Sequence, residues 1–576
     1  MKKIFPLKKI IFLLFFAVLL STTVKVLPSK ADYVGQINSF YINSDYDFLG
    51  RQKISAQAIL VSDKLYIYAD SDWWLSMSAL DRENLYNNLY NLVDKFEKKD
   101  YFLLTQTFGS EANPGIDGDS HIVVLLHKMK NNVTGYTRLA DSLPQNQVAN
   151  SNQREMIYLD STILTNPQSL SLAPYYLAHE FVHLISFNQK DYNKEEAKND
   201  IWLSEARAEY AATLLGYPDV LTERKKQLAK NPSVSLLDWQ ESSNQYAAVN
   251  IFAHYLVDQY GLRVLTDSLK FPLFGVDSLN EALRKNGYLE TTTDVFKNFS
   301  LAVLFNDCAV NNKYCFKNPQ LRDFTIYPLN YYLPDSGLNN LSASLVINPW
   351  AVNVLKITGG DGALKINFSY PADAEIYLYY VIVDANNKTV KFWDYHYGYN
   401  GNIYVSNLSN GNSAIYFLPL YLPSPNSNKF HTSLFNFSIS SITEEQKASL
   451  EKEDELKIIK SLTELLEQLK NQVAILTAQL NNLRNLNINK LSTESVSCTT
   501  FQKDLYYGME NSWEVKCLQT LLKEKEPSLY PSGLVTGNYL ELTKQAVQKY
   551  QQKYGLPQTG YFGPLTRNLA NSQWFK

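Results

Sequence analysis

The sequence predicts a multidomain chain: a mixed α+β domain, then a β-sandwich, a helical or coiled-coil stalk and a small three-helix domain. Three observations lead there. The chain has 576 residues, and about 150 residues per domain is an ordinary allotment. Strand-like and helix-like patterns mix up to residue 324, after which short alternating runs separated by turn residues take over. Finally, apolar residues stepping by three and four between Ile459 and Leu483 precede a Gly-punctuated helical segment.

The first residues, MKKIFPLKK, are basic and lead into an apolar run from Ile10 to Leu20. As a helix that run rises only about 16 Å, short of the roughly 30 Å hydrocarbon core. Ser29-Lys30-Ala31 offers small residues at the −3 and −1 positions of a cut, so 1–31 reads as a secretory signal peptide, with an uncleaved anchor as the alternative. No later run is long and apolar enough to span a bilayer, so no membrane contact is expected after cleavage. Lys+Arg 54 against Asp+Glu 57 gives a net charge of −3. No basic excess exists to neutralise phosphates, which argues against a nucleic-acid partner. With 45% hydrophobic and 19% charged residues, disorder is a poor global description.

Residues 32–324 form the first folded region. Ala58 to Tyr68, His121 to His127 and Glu155 to Leu159 read as strands. Leu170 to Phe187, Asp200 to Leu215, Tyr246 to Tyr260 and Leu279 to Lys285 read as helices. In 325–441, runs such as Ala363 to Tyr370, Ile376 to Val383 and Ala414 to Leu422 alternate between turn clusters at 359–362, 386–388 and 410–412, the texture of a β-sandwich. Residues 442–488 follow as a stalk. Ile459, Leu462, Leu466, Leu469, Val473, Leu476, Leu480 and Leu483 make a heptad seam that suits a homodimer through 459–483 or a helix packed back on the sandwich. A polar linker, 489–496, leads to the last domain, 497–576. In an exported chain, Cys308 with Cys315 and Cys498 with Cys517 are expected to pair locally as disulfides, two pairs of free thiols being the alternative.

The chemistry concentrates in His179-Glu180-Phe181-Val182-His183, inside a helical pattern. A spacing of four puts both imidazoles on one helix face, able to hold one zinc ion. Glu180 beside them can take the proton of a water that the metal activates. Such a match is expected on the order of 0.005 times by chance in a chain this poor in His. Zinc in a hydrolase wants a third protein ligand and an open position. Glu205, in Trp202-Leu203-Ser204-Glu205-Ala206-Arg207-Ala208-Glu209-Tyr210, supplies it from a second helix, with Glu209 one turn on as rival ligand or as partner of an imidazole N–H. An oxyanion donor is also needed; Tyr246 is the candidate, with Tyr210 and His254 competing. Asp117-Gly118-Asp119 fits a β-turn and, more weakly, a Ca2+ seat.

HEFVH followed by WLSEARAEY resembles the gluzincins, zinc peptidases with two His and a downstream Glu, and among them secreted bacterial hyicolysin-type enzymes. Ile116 to Leu125, Gly135-Tyr136 and Ser151 to Asp160 extend the likeness, over about residues 100–261. The resemblance implies a zincin-like metallopeptidase fold for 32–324, Zn2+ on His179, His183 and Glu205, and Glu180 as general base. Ala206 departs from the Gly usual after the ligand Glu.

In the last domain Thr536 to Thr543 is echoed by Thr559 to Thr566, each copy a Gly turn leading to a Thr that starts a helix. Ala546 to Leu556 between them reads as a helix stopped by Gly555. The pattern resembles peptidoglycan-binding-like domains over 501–569, which implies attachment to cell-wall polymer; a helical module for protein contacts is the alternative. The expectation is therefore a secreted zinc endopeptidase acting on extracellular polypeptides and retained at the cell wall or surface through peptidoglycan. A hydrolase of peptidoglycan cross-link peptides and a non-catalytic adhesin on a peptidase fold are the rivals.

Overall fold

The computed structural model describes residues 31–130, 133–217, 219–333, 340–360, 362–384, 386, 389–395, 399–406, 412–425, 430–491 and 498–575. The expected signal segment, save its last residue, lies outside these, as do residues 492–496 of the expected linker. Among the described residues no helix is long and apolar enough to cross a membrane. The chain divides into two compact units, Met1–Lys452 and Glu453–Lys576.

The first unit opens with six strands: β1 (Ile37–Tyr41), β2 (Lys53–Val61), β3 (Leu65–Asp70), β4 (Ile122–His127), β5 (Gly135–Thr137) and β6 (Met156–Asp160). They form one sheet in the order β1-β2-β3-β4-β6-β5, with β3, β4 and β6 parallel and β5 antiparallel at an edge. Every residue of β3, β4 and β6 is buried, as near-continuous apolar runs require when both sheet faces are covered. The run 58–68, expected as one strand, is a hairpin instead. The Ser62 amide donates to the Leu65 carbonyl, and the Leu65 amide to Ser62 Oγ, so Asp63 and Lys64 turn the chain.

Among the described residues eleven α-helices accompany this sheet: α1 (Ser71–Ser76), α2 (Ala79–Lys95), α3 (Tyr101–Phe108), α4 (Ser161–Thr165), α5 (Ala173–Gln189), α6 (Ile201–Leu215), α7 (Asp219–Lys230), α8 (Ser243–Tyr260), α9 (Leu262–Asp267), α10 (Gly275–Lys285) and α11 (Thr292–Phe305). The four expected helices are α5, α6, α8 and α10, each within a few residues of its expected bounds. Among those not foreseen, α2 buries only Leu85, Leu89, Leu92 and Val93 in seventeen residues rich in Asn and Tyr. Capping by Ser78, whose side chain accepts from the Asp81 amide, starts it where the apolar pattern is thin.

The second texture is a sandwich with, among the described residues, nine strands: β7 (Leu329–Leu333), β8 (Asn340–Ile347), β9 (Leu355–Gly359), β10 (Ala363–Ser369), β11 (Ile376–Asp384), β12 (Thr389–Tyr395), β13 (Asn400–Val405), β14 (Asn412–Tyr421) and β15 (Ser433–Ile442). Two sheets, β13-β10-β15-β8 and β12-β11-β14-β9-β7, share a core of Ile366, Phe437 and Ile439 from one and Ile357, Leu378 and Phe417 from the other. The opposite face of the five-stranded sheet is equally apolar. Tyr379, Leu418 and Leu420 join Trp350, Phe252, Phe296 and Phe299 in one continuous core with the helices. The change at residue 324 is therefore one of secondary structure and not of packing.

The bridge Cys308–Cys315 forms as expected, with Cα atoms 5.0 Å apart. The expected bridge Cys498–Cys517 does not; both are free thiols. Burial, with Cys498 alongside, pushes the Cys517 thiol up to about 12.

Helix α12 (Glu444–Leu491) covers the expected stalk, and Ile459, Leu462, Leu466, Leu469, Val473, Leu476 and Leu480 along its seam are all exposed. Leu483 lies beyond the described side chains. The last domain packs α13 (Trp513–Lys525), α14 (Glu541–Lys553) and α15 (Pro564–Trp574) around Leu518, Leu522, Tyr539, Val547, Tyr550 and Phe562. Its internal echo has a structural basis. Buried Gln519 accepts from the amides of Thr536 and Gly537 and donates to the Asn538 carbonyl, tying the first Gly turn to α13. Buried Gln551 does the same from α14, accepting from the Gly560 amide and donating to the Tyr561 carbonyl.

Trp350 stands at the seam between helices and sandwich, 5.4 Å from Phe296, with its indole N–H on the Pro423 carbonyl. Trp350→Ala is expected to cost about 3–5 kcal/mol. Because the core is shared, chemical unfolding should lower one cooperative transition for the whole first unit; a sandwich melting separately would contradict the shared core.

Candidate metal centre

Helix α5 begins with Pro174 in its first turn and buries almost every residue from Leu177 to Ser186. Phe181, Val182 and Ile185 fill the core on the sheet. That leaves His179 and His183, four apart, on one face. Helix α6 delivers Glu205, and the ligand-capable atoms of His179, His183 and Glu205 all lie within 4.8 Å of one another. The two Nε2 atoms are 3.2 Å apart, and Glu205 Oε2 lies 3.2 Å from the first and 3.5 Å from the second. This Oε2 is buried and has no hydrogen-bond partner. The three ligand-capable atoms thus face one small volume. Two imidazoles and a carboxylate are a donor set that fits zinc with an open fourth position. Asp117 and Asp119, the weaker Ca2+ seat, are instead engaged within their turn: Asp117 accepts from the Asp119 amide, and Asp119 from the Tyr66 hydroxyl and the His121 amide.

Charge in this pocket is uneven. Burial pushes the Glu180 carboxyl up to about 8, with the charge of Glu205 adding and His183 opposing. Burial acts on Glu205 in the same sense, yet His183 and His179 hold its carboxyl far below the usual range. Two adjacent carboxyls are thus driven apart, and a cation held by the three ligands would favour the ionised, proton-accepting form of Glu180. Gly135, on edge strand β5, runs against Glu180; a Cβ there would sit 3.1 Å from Glu180 Oε1.

Glu209 is not among the converging ligands. Its carboxylate accepts from Tyr175 Oη (2.6 Å), Arg224 Nη2 (2.7 Å) and Asn250 Nδ2 (3.0 Å), and lies 3.9 Å from His179 Nδ1. It backs the imidazole. Behind His183, Ser204 Oγ lies 3.2 Å from Nδ1. Tyr246 opens α8 with its ring 6.3 Å from the His179 ring, the Arg224 guanidinium 5.3 Å from its own centroid and Trp239 at 5.1 Å. Burial first, then the charges of Glu205 and Glu180, raise its phenol well above the ordinary value, so it stays a donor. The structure puts Tyr210 and His254 against each other at 5.1 Å, with His254 held between Thr213 and Asn318.

The sequence reading missed Arg224, Tyr175, Tyr46 and Glu241. Tyr46 donates to Glu241 (3.0 Å), and burial, Glu241, Glu205 and Glu180 push its phenol up to about 12. None of the four carries a motif. Arg224 sits in a run of charges, and Tyr46 and Glu241 lie on loops 195 residues apart that meet only in the fold.

A buried ionic group fixes the start of α6. Asp200 takes Lys190 at 3.4 Å, Arg207 at 3.0 Å, Tyr192 Oη at 2.6 Å and the Gly275 amide at 2.7 Å. Burial and the charge of Arg207 pull Lys190 down to about 8 against the opposing pull of Asp200. An unfolded Lys titrates near 10.4. From about pH 8 to about 10.4 the unfolded chain therefore holds a proton that the folded chain has released, so stability rises with pH in this window. Urea unfolding should show wild type gaining on Lys190→Met from pH 8 to 10. A constant difference would contradict this placement of Lys190.

Comparison with known proteins is informative for the C-terminal region. Residues 511–569 match the family model described as "Putative peptidoglycan binding domain", which spans α13, α14 and the start of α15. The last helices form a peptidoglycan-binding domain. No curated protein matches the chain. Among solved structures, the chain is similar to the pre-peptidase C-terminal domain of collagenase from Bacillus anthracis, at 6% identity over 20% of this chain and 96% of that one, with a TM-score of 0.14. It is also similar to the Yersinia pseudotuberculosis-derived mitogen (13% identity, 18% of this chain and 88% of that one, TM-score 0.14). A third is the CBM22-1 xylan-binding domain of Paenibacillus barcinonensis Xyn10C (10% identity, 19% and 75%, TM-score 0.12).

Proposed function

We propose that this chain is a secreted zinc-dependent endopeptidase, of the gluzincin kind its motifs resemble, that cleaves extracellular proteins while held at the cell wall by its last domain. The observation that carries the catalytic reading is the convergence of His179 Nε2, His183 Nε2 and Glu205 Oε2, with Glu180 next to them in the helix. The match at 511–569 supports the wall association. Zinc held by the three residues supplies Lewis-acid activation of water and of a peptide carbonyl. The chain's own groups do the rest. Glu180 accepts the attacking water's proton and passes it to the leaving amine. Tyr246, a protonated phenol beside His179, donates to the oxyanion. Edge strand β5, pressed against Glu180 through Gly135, offers its backbone to an extended substrate.

A second reading has one observation in its favour. A peptidoglycan-binding domain on the same chain would present the catalytic unit to wall cross-link peptides. Elemental analysis should find about one zinc per chain in wild type and in Glu180→Gln, and little in Glu205→Ala. Glu180→Gln should lose hydrolysis by several orders of magnitude. Unfolded casein-like protein and purified wall, digested in parallel, separate the readings. Protein cleavage supports the endopeptidase; release of cross-link peptides alone makes the chain a wall hydrolase. Zinc without either activity favours a non-catalytic adhesin.

A further inference from the structure

The last domain carries a built aromatic surface that its core does not need. Leu505 and Phe562 pair as a short antiparallel bridge through two backbone hydrogen bonds, and both side chains are buried. The period of two along such a pair turns their successor and predecessor, Tyr506 and Tyr561, outward. Their rings are 6.5 Å apart, and both are exposed, at 55% and 42%. Tyr507 extends the group at 56% exposure, with the Lys544 ammonium 5.6 Å from its ring centroid.

The Tyr561 ring is held in place. The Tyr561 hydroxyl donates to Asp504 Oδ2 at 2.7 Å, and the other Asp504 oxygen takes Arg567. Gly563 lies against the same ring; a Cβ there would fall 2.3 Å from Tyr561 Cε1, so a side chain would displace it. From below, Gln551 grips the backbone of Gly560 and Tyr561. At Gly560 a Cβ would meet Lys544 Cγ at 2.7 Å, which places the Lys544 stem beside this turn as well as beside Tyr507. Exposed aromatic rings fixed before binding lose little entropy when a ligand lands on them.

We propose that Tyr506, Tyr507 and Tyr561, flanked by Lys544 and Arg567, are the surface that takes peptidoglycan. The C–H-rich faces of the glycan's pyranose rings lie on the phenols, and polar groups of the stem peptide meet the ion-paired Lys544 and Arg567. This rests on the reading of the last domain as a wall binder and names the residues that reading leaves open. The family match at 511–569 favours this occupant, and the Lys544–Glu541 and Arg567–Asp504 ion pairs at the rim offer a stem peptide both donors and acceptors.

Co-sedimentation of the full chain with purified insoluble peptidoglycan tests it. Tyr561→Ala, and Tyr506→Ala combined with Tyr507→Ala, should each raise the half-saturating peptidoglycan concentration about tenfold or more. Tyr561→Phe keeps the ring, loses only the tie to Asp504 and should cost a few-fold. Thermal unfolding of each variant reports whether the domain stays folded. Should Tyr561→Ala unfold it, Tyr507→Ala alone reads the surface, since its ring lies out over Lys544. Wild type failing to sediment overturns the wall-binding reading itself. Wild type sediments and folded alanine variants match it: then the domain binds elsewhere and this assignment is wrong.

Discussion

Two imidazole nitrogens and a carboxylate oxygen, brought close together inside the protein, set the terms for the rest of the first unit. Such a group is costly to bury unless a cation sits among its lone pairs. Everything around it works to keep it assembled. Helix α5 is pinned to the sheet by Phe181, Val182 and Ile185, which fixes where its opposite face points. The start of α6 is locked by Asp200 with Lys190 and Arg207, which sets the height of Glu205. Glu209, neutralised by Arg224, closes the back of His179.

The sandwich belongs to the same construction. Its outer sheet face completes the core under α8 and α11, with Trp350, Tyr379, Leu418 and Leu420 packed among Phe252, Phe296 and Phe299. Since α8 carries Tyr246 at its first turn, the sandwich indirectly holds a candidate oxyanion donor in position. The last domain solves a smaller problem with two buried glutamines. Each glutamine ties a Gly turn to the preceding helix, and the second of those turns presents Tyr561.

How much of this was readable in the sequence depends on whether the signal is local. The HEFVH spacing specifies a helix face by itself, and the structure puts His179, Glu180, His183 and Glu205 together. The alternation of strands in 325–441 likewise showed a sandwich, because one face of each strand must be apolar. The second apolar face, which fuses the sandwich to the helices, was hidden by the same alternation. Tyr379, Val381 and Val383 look like ordinary outward positions until the helices cover them. The hairpin at Ser62 was missed because two apolar strands flank a turn with neither Gly nor Pro. Gln519 and Gln551 were passed over because a Gln on a helix is nearly always solvated; only burial shows them as keys. The expected Cys498–Cys517 bridge is absent, and sequence spacing reports proximity and not oxidation.

The proposed function depends on zinc bound by His179, His183 and Glu205. X-ray absorption at the zinc edge on the purified full chain tests this most directly. The predicted spectrum is a first shell of nitrogen and oxygen only, at about 2.0–2.2 Å, with the outer-shell scattering of two imidazoles. The imidazole signature should fall to one ring or vanish in His183→Ala. A shell containing sulfur at about 2.3 Å, or no bound zinc at all, would contradict it.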